Sequence, residues 1–171
     1  MKITNGGAAR SPRFATISRT AKTPAETAAV ARRLARFLPP PPVHLHLFGD
    51  LCVGKTFWAR ALIGALGGGA RAPSPSFALA LSYQSRRMPV HHLDLFRLPQ
   101  DAPLPGELSE LLQEDALCLV EWPGRASDLP AADIRVTMDF YRGGNCAEDG
   151  RRLTFAAESE RGGECLRAFA C

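Results

Sequence analysis

The residues best suited to chemistry in this 171-residue chain are eight consecutive positions that include two glycines, a lysine and a threonine. They are Gly49-Asp50-Leu51-Cys52-Val53-Gly54-Lys55-Thr56, which satisfies the phosphate-binding pattern G-x-x-x-x-G-K-[ST]. Gly49 permits a sharp turn, and Gly54 has no Cβ to obstruct phosphate oxygens that approach the backbone N–H groups. We expect Lys55 to reach the β and γ phosphates and the Thr56 hydroxyl to bind Mg²⁺.

The residues on either side of this loop have the pattern that a phosphate-binding loop requires. Val43, Leu45 and Leu47 alternate with His44 and His46, which predicts a strand ending at Phe48. After the loop, apolar residues recur at helical spacing up to a run of three glycines: Phe57, Trp58, Ala61, Leu62, Ala65 and Leu66. Strand, glycine loop and helix therefore follow in the order typical of a nucleotide site. We expect the nucleotide-binding stretch around the loop to run from Gly49 to Phe57.

Two carboxylates follow apolar strands and could complete such a site. Asp94 follows Val90-His91-His92-Leu93, and Glu121 follows Leu117-Cys118-Leu119-Val120. Ligands of open α/β sheets lie beyond the carboxyl ends of the strands. Asp94 is therefore predicted to order Mg²⁺ through water, and Glu121 to orient or deprotonate an attacking water, with Mg²⁺ contact directly or through water. The alternative for each is a solvated acid at a strand end or a helix cap.

Composition and charge limit the class of protein. The chain is 46% hydrophobic and 22% charged, and its formal net charge is +4. Five cysteines show no CxxC spacing, and no apolar run approaches the length of a membrane span. We expect a cytoplasmic α/β protein with no membrane partner, in which residues 1–171 form one P-loop NTPase-like domain with a mixed central β-sheet flanked by helices.

The remaining pattern predicts the elements around the loop. Thr23-Pro24-Ala25-Glu26 is a capping box that opens a helix whose apolar positions continue to Leu38. Residues 1–12 are predicted to be a flexible tail, and residues 159–170 a C-terminal helix. Predicted strands cover residues 14–18, 77–83, 88–95, 117–120, 134–140 and 151–155, with a short helix at 107–115 and a turn at 143–145.

Four ordered motifs together resemble the TsaE (YjeE) family. They are the phosphate loop, then Ser74-Pro75-Ser76-Phe77, then His92-Leu93-Asp94-Leu95-Phe96-Arg97-Leu98, then Val120-Glu121-Trp122-Pro123. The resemblance implies an ATPase that uses ATP and Mg²⁺ and acts with TsaB- and TsaD-like subunits. That complex places a threonylcarbamoyl group on a tRNA adenosine, so this chain would meet tRNA only indirectly.

The resemblance also assigns residues and shows departures. Asp94 matches the Walker-B-like acid, Glu121 with Trp122 the essential acid and its neighbour, and His92 is implied to orient the Asp94 loop. Cys52 stands in place of a glycine, at a position where such loops often have positive φ. Phe57 replaces a hydroxyl residue. These departures bear on affinity and rate.

Three functional classes remain open on the residues alone. They are a partner-coupled ATPase, a nucleotide-dependent binding module with little hydrolysis, and a small-molecule kinase. A kinase would need an Arg-rich lid, and residues 99–105 contain no arginine. The chain has neither N-K-x-D nor D-x-x-G, which disfavours a GTPase. The four histidines are predicted to be strand histidines with no metal role, and Arg86-Arg87 a solvated hairpin turn.

Overall fold

The computed structural model describes residues 15–68, 78–141 and 150–171. Its seven strands join in one sheet in the order β1-β7-β6-β2-β5-β4-β3. The strands are β1 Thr16–Ala21, β2 Val43–Phe48, β3 Ala80–Tyr83, β4 Val90–Asp94, β5 Leu117–Glu121, β6 Ile134–Tyr141 and β7 Gly150–Ala157. The helices are α1 Pro24–Ala35, α2 Lys55–Leu66, α3 Gly106–Leu111 and α4 Glu160–Ala170. The predicted mixed α/β fold is confirmed.

The centre of the sheet is parallel. Strand β2 lies between β5 and β6 and is parallel to both, and β4 is parallel to β5. The outer pairs β3–β4, β6–β7 and β1–β7 are antiparallel. Leu47 and Asp94 both lie opposite Glu121, on its two sides. The carboxyl ends of β2, β4 and β5 therefore meet at one edge, where the phosphate loop begins.

Both faces of the central strands are covered. On one face Leu45 and Trp58 join Phe155 and Phe169, residues of β2, α2, β7 and α4, in a buried cluster. On the other, Val120 packs in a second cluster with leucines from β4, α3 and the chain between them: Leu93, Leu95, Leu98, Leu104 and Leu108. Because side chains alternate along a strand, Leu119 contributes to the first cluster while Val120 contributes to the second.

The first helix begins as the capping pattern predicts and ends earlier. Thr23 Oγ1 accepts a hydrogen bond from Glu26 N at 3.2 Å, and Pro24 is the first helical residue. The regular helix stops at Ala35 although apolar positions continue to Leu38. Arg87 donates hydrogen bonds from its guanidinium to the carbonyls of Ala35 and Leu38. Arg87 is exposed in the turn, as predicted, and it also satisfies carbonyl groups where α1 ends.

Other boundaries differ because tertiary pairing sets them. β1 runs to Ala21, past the predicted end, because each of its residues pairs with one on β7. α3 stops at Leu111, and the residues after it turn into β5. Several predictions fall outside the described residues: the tail at 1–12, the start of the first strand, the Ser76 loop, Phe77 and the turn at 143–145. Among the described helices, none has the length and apolarity needed to cross a membrane.

The strand histidines are more buried than the alternating pattern of apolar and polar residues predicts. His46 is only 7% exposed although it lies on the face of β2 opposite Leu45. Burial, together with the neighbouring His44 and Arg135 and against the opposing effect of Asp133, lowers the pKa of His46 to about 4. In the described part of the chain, no cluster of three or more His, Cys, Asp or Glu side chains could hold a metal ion.

We predict that acid destabilises this fold partly through His46. The folded state keeps the ring neutral down to about pH 4, whereas an unfolded chain protonates it below its usual pKa of 6.5. The free energy of unfolding should therefore fall as pH drops from 6.5 towards 4, by about 2 kcal/mol at pH 5. Chemical denaturation of the parent and of His46→Gln at about pH 7 and pH 5 measures this. The variant should lose less stability, and an equal loss would contradict the prediction.

Candidate nucleotide-binding site

The loop between β2 and α2 depends on two glycines for different reasons. Gly49 has φ of 138° and Gly54 has φ of 109°, both in the region that favours glycine. A Cβ at Gly49 would lie 2.3 Å from the carbonyl oxygen of Met138 on β6. Gly49 therefore also lets β6 pack against the loop, and Gly54 turns the chain so that Lys55 is the first residue of α2.

Cys52 lies in the left-handed region, with φ of 62°. A non-glycine residue there costs about 1 to 2 kcal/mol, because its Cβ approaches the following carbonyl oxygen. Its side chain is exposed. This departure from the glycine of the motif thus places strain in the backbone of the loop.

Lys55 lies across the loop with only 5% of its surface exposed. Its Nζ donates hydrogen bonds to the carbonyls of Gly49 and Asp50 at 2.7 and 2.9 Å. The same nitrogen lies 3.8 Å from the centroid of the Trp122 ring. Burial lowers the pKa of Lys55, and the carboxylate of Glu121 opposes that shift most strongly. The ammonium group thus lies between loop carbonyls, an aromatic face and the acids of the neighbouring strands.

Glu121 joins two elements through its two carboxylate oxygens. Thr56 Oγ1 donates to Glu121 Oε2 at 2.9 Å, and His92 Nε2 lies 2.8 Å from Glu121 Oε1. Glu121 is 1% exposed and His92 is fully buried. Because an ionised carboxylate only accepts hydrogen bonds, Nε2 of His92 is the donor. Nδ1 of the same ring is buried without a hydrogen-bond partner among the described residues.

This contact differs from the role that the motif implies for His92. The ring bonds to Glu121 on the next strand, whereas orientation of the Asp94 loop was expected. Strand register gives the reason, since Asp94 lies directly opposite Glu121 and His92 is two residues earlier on the same face. The spacing of two residues between His92 and Asp94 predicts that both side chains lie on one face of the strand. Only the parallel pairing of β4 with β5 identifies Glu121 as the partner.

Asp94 and the turn after it carry an aromatic pair into the site. Asp94 is 6% exposed, and its Oδ1 accepts a hydrogen bond from Phe96 N at 3.1 Å. The Phe96 ring packs on Trp122 with centroids 5.0 Å apart. Trp122 itself has φ of 56° and turns the chain away from β5. Sequence reasoning did not identify Phe96 as a site residue. The signal for it was its position two residues after Asp94.

These residues surround a cleft of about 420 Å³. Every predicted site residue except Gly49, Asp50 and Val53 lines it, and the structure adds Phe96 and Arg97. A neighbouring recess of about 310 Å³ shares Gly54 and Phe57 with the cleft and reaches Lys22, Thr23 and Arg151. Arg151 also donates from Nε to the Val53 carbonyl at 2.6 Å, which ties β7 to the loop.

Comparison with known proteins agrees with this geometry. The family model described as "Threonylcarbamoyl adenosine biosynthesis protein TsaE" matches residues 21–148. A protein of Haemophilus influenzae named tRNA threonylcarbamoyladenosine biosynthesis protein TsaE is 30% identical over 130 residues, or 74% of this chain and 78% of the relative. The protein of that name from Bacillus subtilis is 32% identical over 139 residues, 81% of this chain and 84% of the relative.

A solved structure extends the similarity to the fold. The crystal structure of Bacillus subtilis YdiB superposes with a TM-score of 0.71 at 26% identity and covers 94% of this chain and 97% of its own. The family match includes the phosphate loop, Asp94 and Glu121, the three features that the parallel strands bring to one edge. This chain belongs to the TsaE family, a family of P-loop-type proteins of tRNA threonylcarbamoyladenosine biosynthesis.

Proposed function

We propose that this chain is a Mg²⁺-dependent ATPase that supports threonylcarbamoylation of tRNA adenosine and is completed by TsaB- and TsaD-like partners. The observation that carries the proposal is the bond between Thr56 and Glu121 at the mouth of the phosphate loop. This bond connects Thr56, whose hydroxyl is predicted to bind the metal, with Glu121, the acid predicted to act on water.

The residues of the cleft fit a magnesium nucleotide. Mg²⁺ prefers oxygen ligands, and Thr56, Glu121 and Asp94 offer a hydroxyl and two carboxylates. A Cβ at Gly49 would collide with the Met138 carbonyl, and the positive φ of Gly54 favours glycine. The loop therefore has a backbone conformation that residues with side chains at these two positions would not adopt. Backbone N–H groups and the start of α2 add positive potential for phosphates.

The neighbouring recess supports a place for the nucleoside. It begins at Gly54, the last residue of the loop, and at Phe57 in the first turn of α2, and its described lining contains no acid. We propose that the phosphates lie over Lys55 and that the adenine enters this recess between Phe57 and the start of α1. Phe57 is 47% exposed there and offers an aromatic ring to pack on a base.

The chain's own residues divide the work of phosphoryl transfer. Lys55 would exchange the carbonyls of Gly49 and Asp50 for phosphate oxygens, and Thr56 with Asp94 would hold Mg²⁺. The metal would supply charge neutralisation for phosphoryl transfer. Glu121 accepts a hydrogen bond from the attacking water and aligns it, while His92 fixes the rotation of that carboxylate. Phosphoryl transfer depends mainly on such positioning.

A partner requirement is supported by the rim of the cleft. Leu51, Phe57 and Phe96 are 60%, 47% and 40% exposed, and all three line the cleft. Large apolar side chains grouped at a polar site are typical of a surface that another protein covers. A subunit bound on this rim would exclude water and slow escape of the nucleotide, so the isolated chain should turn over slowly.

The second candidate is a nucleotide-dependent binding module with little hydrolysis. The strained φ of 62° at Cys52 favours it, because strain in the loop reduces the fraction of molecules with a well-formed phosphate cradle. Tight ATP binding without turnover in any mixture with the partners would identify this case.

We predict ATP-selective, Mg²⁺-dependent hydrolysis that rises when TsaB and TsaD are added. Glu121→Gln keeps the size of the side chain but removes its charge, so turnover should fall by about 100-fold or more while ATP binding persists. Steady-state release of phosphate from ATP and GTP, with binding followed separately, measures both. Glu114→Gln is the matched control, because Glu114 is an exposed acid that pairs with His91. Parent-like turnover in Glu121→Gln would remove its assigned role.

We predict that His92 acts as a positioning residue through Glu121. His92→Leu removes the donor and should lower kcat by about 10- to 100-fold with little change in the KM for ATP. His92→Gln can place an amide N–H near the position of Nε2 and should recover part of the loss. Equal losses in both variants, or a change in KM alone, would show a merely structural role.

We predict that Cys52→Gly tightens nucleotide binding by up to about fivefold, since glycine adopts positive φ without the cost of about 1 kcal/mol. Cys52→Ala is the matched control, because it removes the thiol but keeps the Cβ. A titration monitored by Trp122 fluorescence measures both dissociation constants. Unchanged or weaker binding in Cys52→Gly, or equal tightening in Cys52→Ala, would contradict strain as the cause.

A further inference from the structure

A groove on the helical side of the molecule collects five arginines. It lies between the C-terminal halves of α1 and α2 and the turn between β3 and β4, and its volume is about 950 Å³. Its lining includes the guanidinium-bearing residues Arg32, Arg36, Arg60, Arg86 and Arg87. We call this feature the arginine groove. No Asp or Glu is among the described residues that line it.

Two of the five arginines make contacts within the fold that explain their position. Arg87 donates to carbonyls at the end of α1. The stem of Arg86 packs over Gly67, where an added Cβ would lie 2.9 Å from its Cγ, and its backbone N–H donates to the Leu66 carbonyl at 3.1 Å. Both cations thus lie at helix C-termini, where positive charge is favourable.

The other three lie on the two helices. Arg32 is in the last turn of α1, Arg36 is its C-cap and Arg60 lies in α2. All three are exposed, and none forms an ion pair with an acidic side chain in the described part of the chain. Arg32 and Arg36 are four residues apart, a spacing at which like charges repel, while the C-terminus of α1 favours both. An anion bound in the groove would reduce the repulsion among these cations.

The floor of the groove indicates what kind of anion it suits. It consists of small residues, Ala35, Ala61, Gly64 and Ala65, and the larger Leu66 is buried. Protein–protein interfaces combine arginine with aromatic anchors, and the described lining provides arginine but no aromatic side chain. Contacts with a nucleic acid backbone need cations and close approach, and the planar guanidinium binds phosphate oxygens in pairs.

We propose that the arginine groove binds the phosphodiester backbone of RNA, so that this chain contacts tRNA directly. The proposal goes beyond ATP hydrolysis and does not depend on it. At 1.5 Å of rise per residue, Arg60 lies about 7.5 Å along α2 from Lys55, and the groove and the nucleotide cleft share no lining residue in the described part of the chain. This differs from the expectation that tRNA is reached only through a complex.

The test uses a fluorescently labelled, unmodified tRNA transcript and the full chain. Arg32→Gln, Arg36→Gln and Arg60→Gln are combined in one variant, and fluorescence anisotropy is recorded from about 50 to 200 mM salt. The triple variant should bind at least about 10-fold more weakly at low salt. Its plot of log K against log salt should be shallower by about 2, since three phosphate contacts are lost.

A charge-matched control separates the groove from net charge. Arg19→Gln, Arg152→Gln and Arg167→Gln combined remove the same charge from β1, β7 and α4 and should bind RNA nearly as the parent does. Equal weakening in the two triple variants, or no tRNA binding by the parent at low salt, would overturn the proposal. Selective binding of polyglutamate with no binding of tRNA would also overturn it, in favour of an acidic protein partner. Basal ATP hydrolysis, measured in parallel, should not change in the groove variant.

Discussion

The site depends on burying one carboxylate at the edge of a parallel sheet. Glu121 is 1% exposed, and a buried charge is costly unless it is hydrogen-bonded and paired. Thr56 and His92 each donate to one of its oxygens, and Lys55 supplies opposite charge nearby. Lys55 and Thr56 are the first two residues of α2, directly after the phosphate loop, and His92 lies on β4. The parallel alignment of β2, β5 and β4 is what brings them within reach of one side chain.

A second chain of contacts leads from the acids to the surface. Asp94 holds the backbone of Phe96, Phe96 packs on Trp122, and Trp122 covers the ammonium of Lys55. The exposed part of Phe96 belongs to the apolar rim of the cleft. A protein that packs on the rim would therefore press on side chains that contact Lys55. This gives a physical route by which a partner could act on the proposed phosphate site.

The departures from the family pattern leave the fold intact. The chain superposes on YdiB with a TM-score of 0.71 at only 26% identity, since the fold depends on apolar periodicity more than on particular residues. Cys52 is exposed at the tip of the loop, and Phe57 lies on the exposed side of α2. Neither is part of the core, so neither departure disturbs the packing that holds the fold together.

Features that rest on local pattern can be predicted from the sequence. The phosphate loop, the strand before it, the helix after it, the cap at Thr23 and the two acids at strand ends follow from glycine, periodicity and capping within a few residues. The pairing of His92 with Glu121 spans 29 residues, and Arg87 reaches the end of α1 from 49 and 52 residues away. The arginine groove likewise joins α1, α2 and a hairpin turn. Local pattern does not predict these contacts, because strand register and helix packing, which bring distant residues together, depend on the summed burial of the whole core.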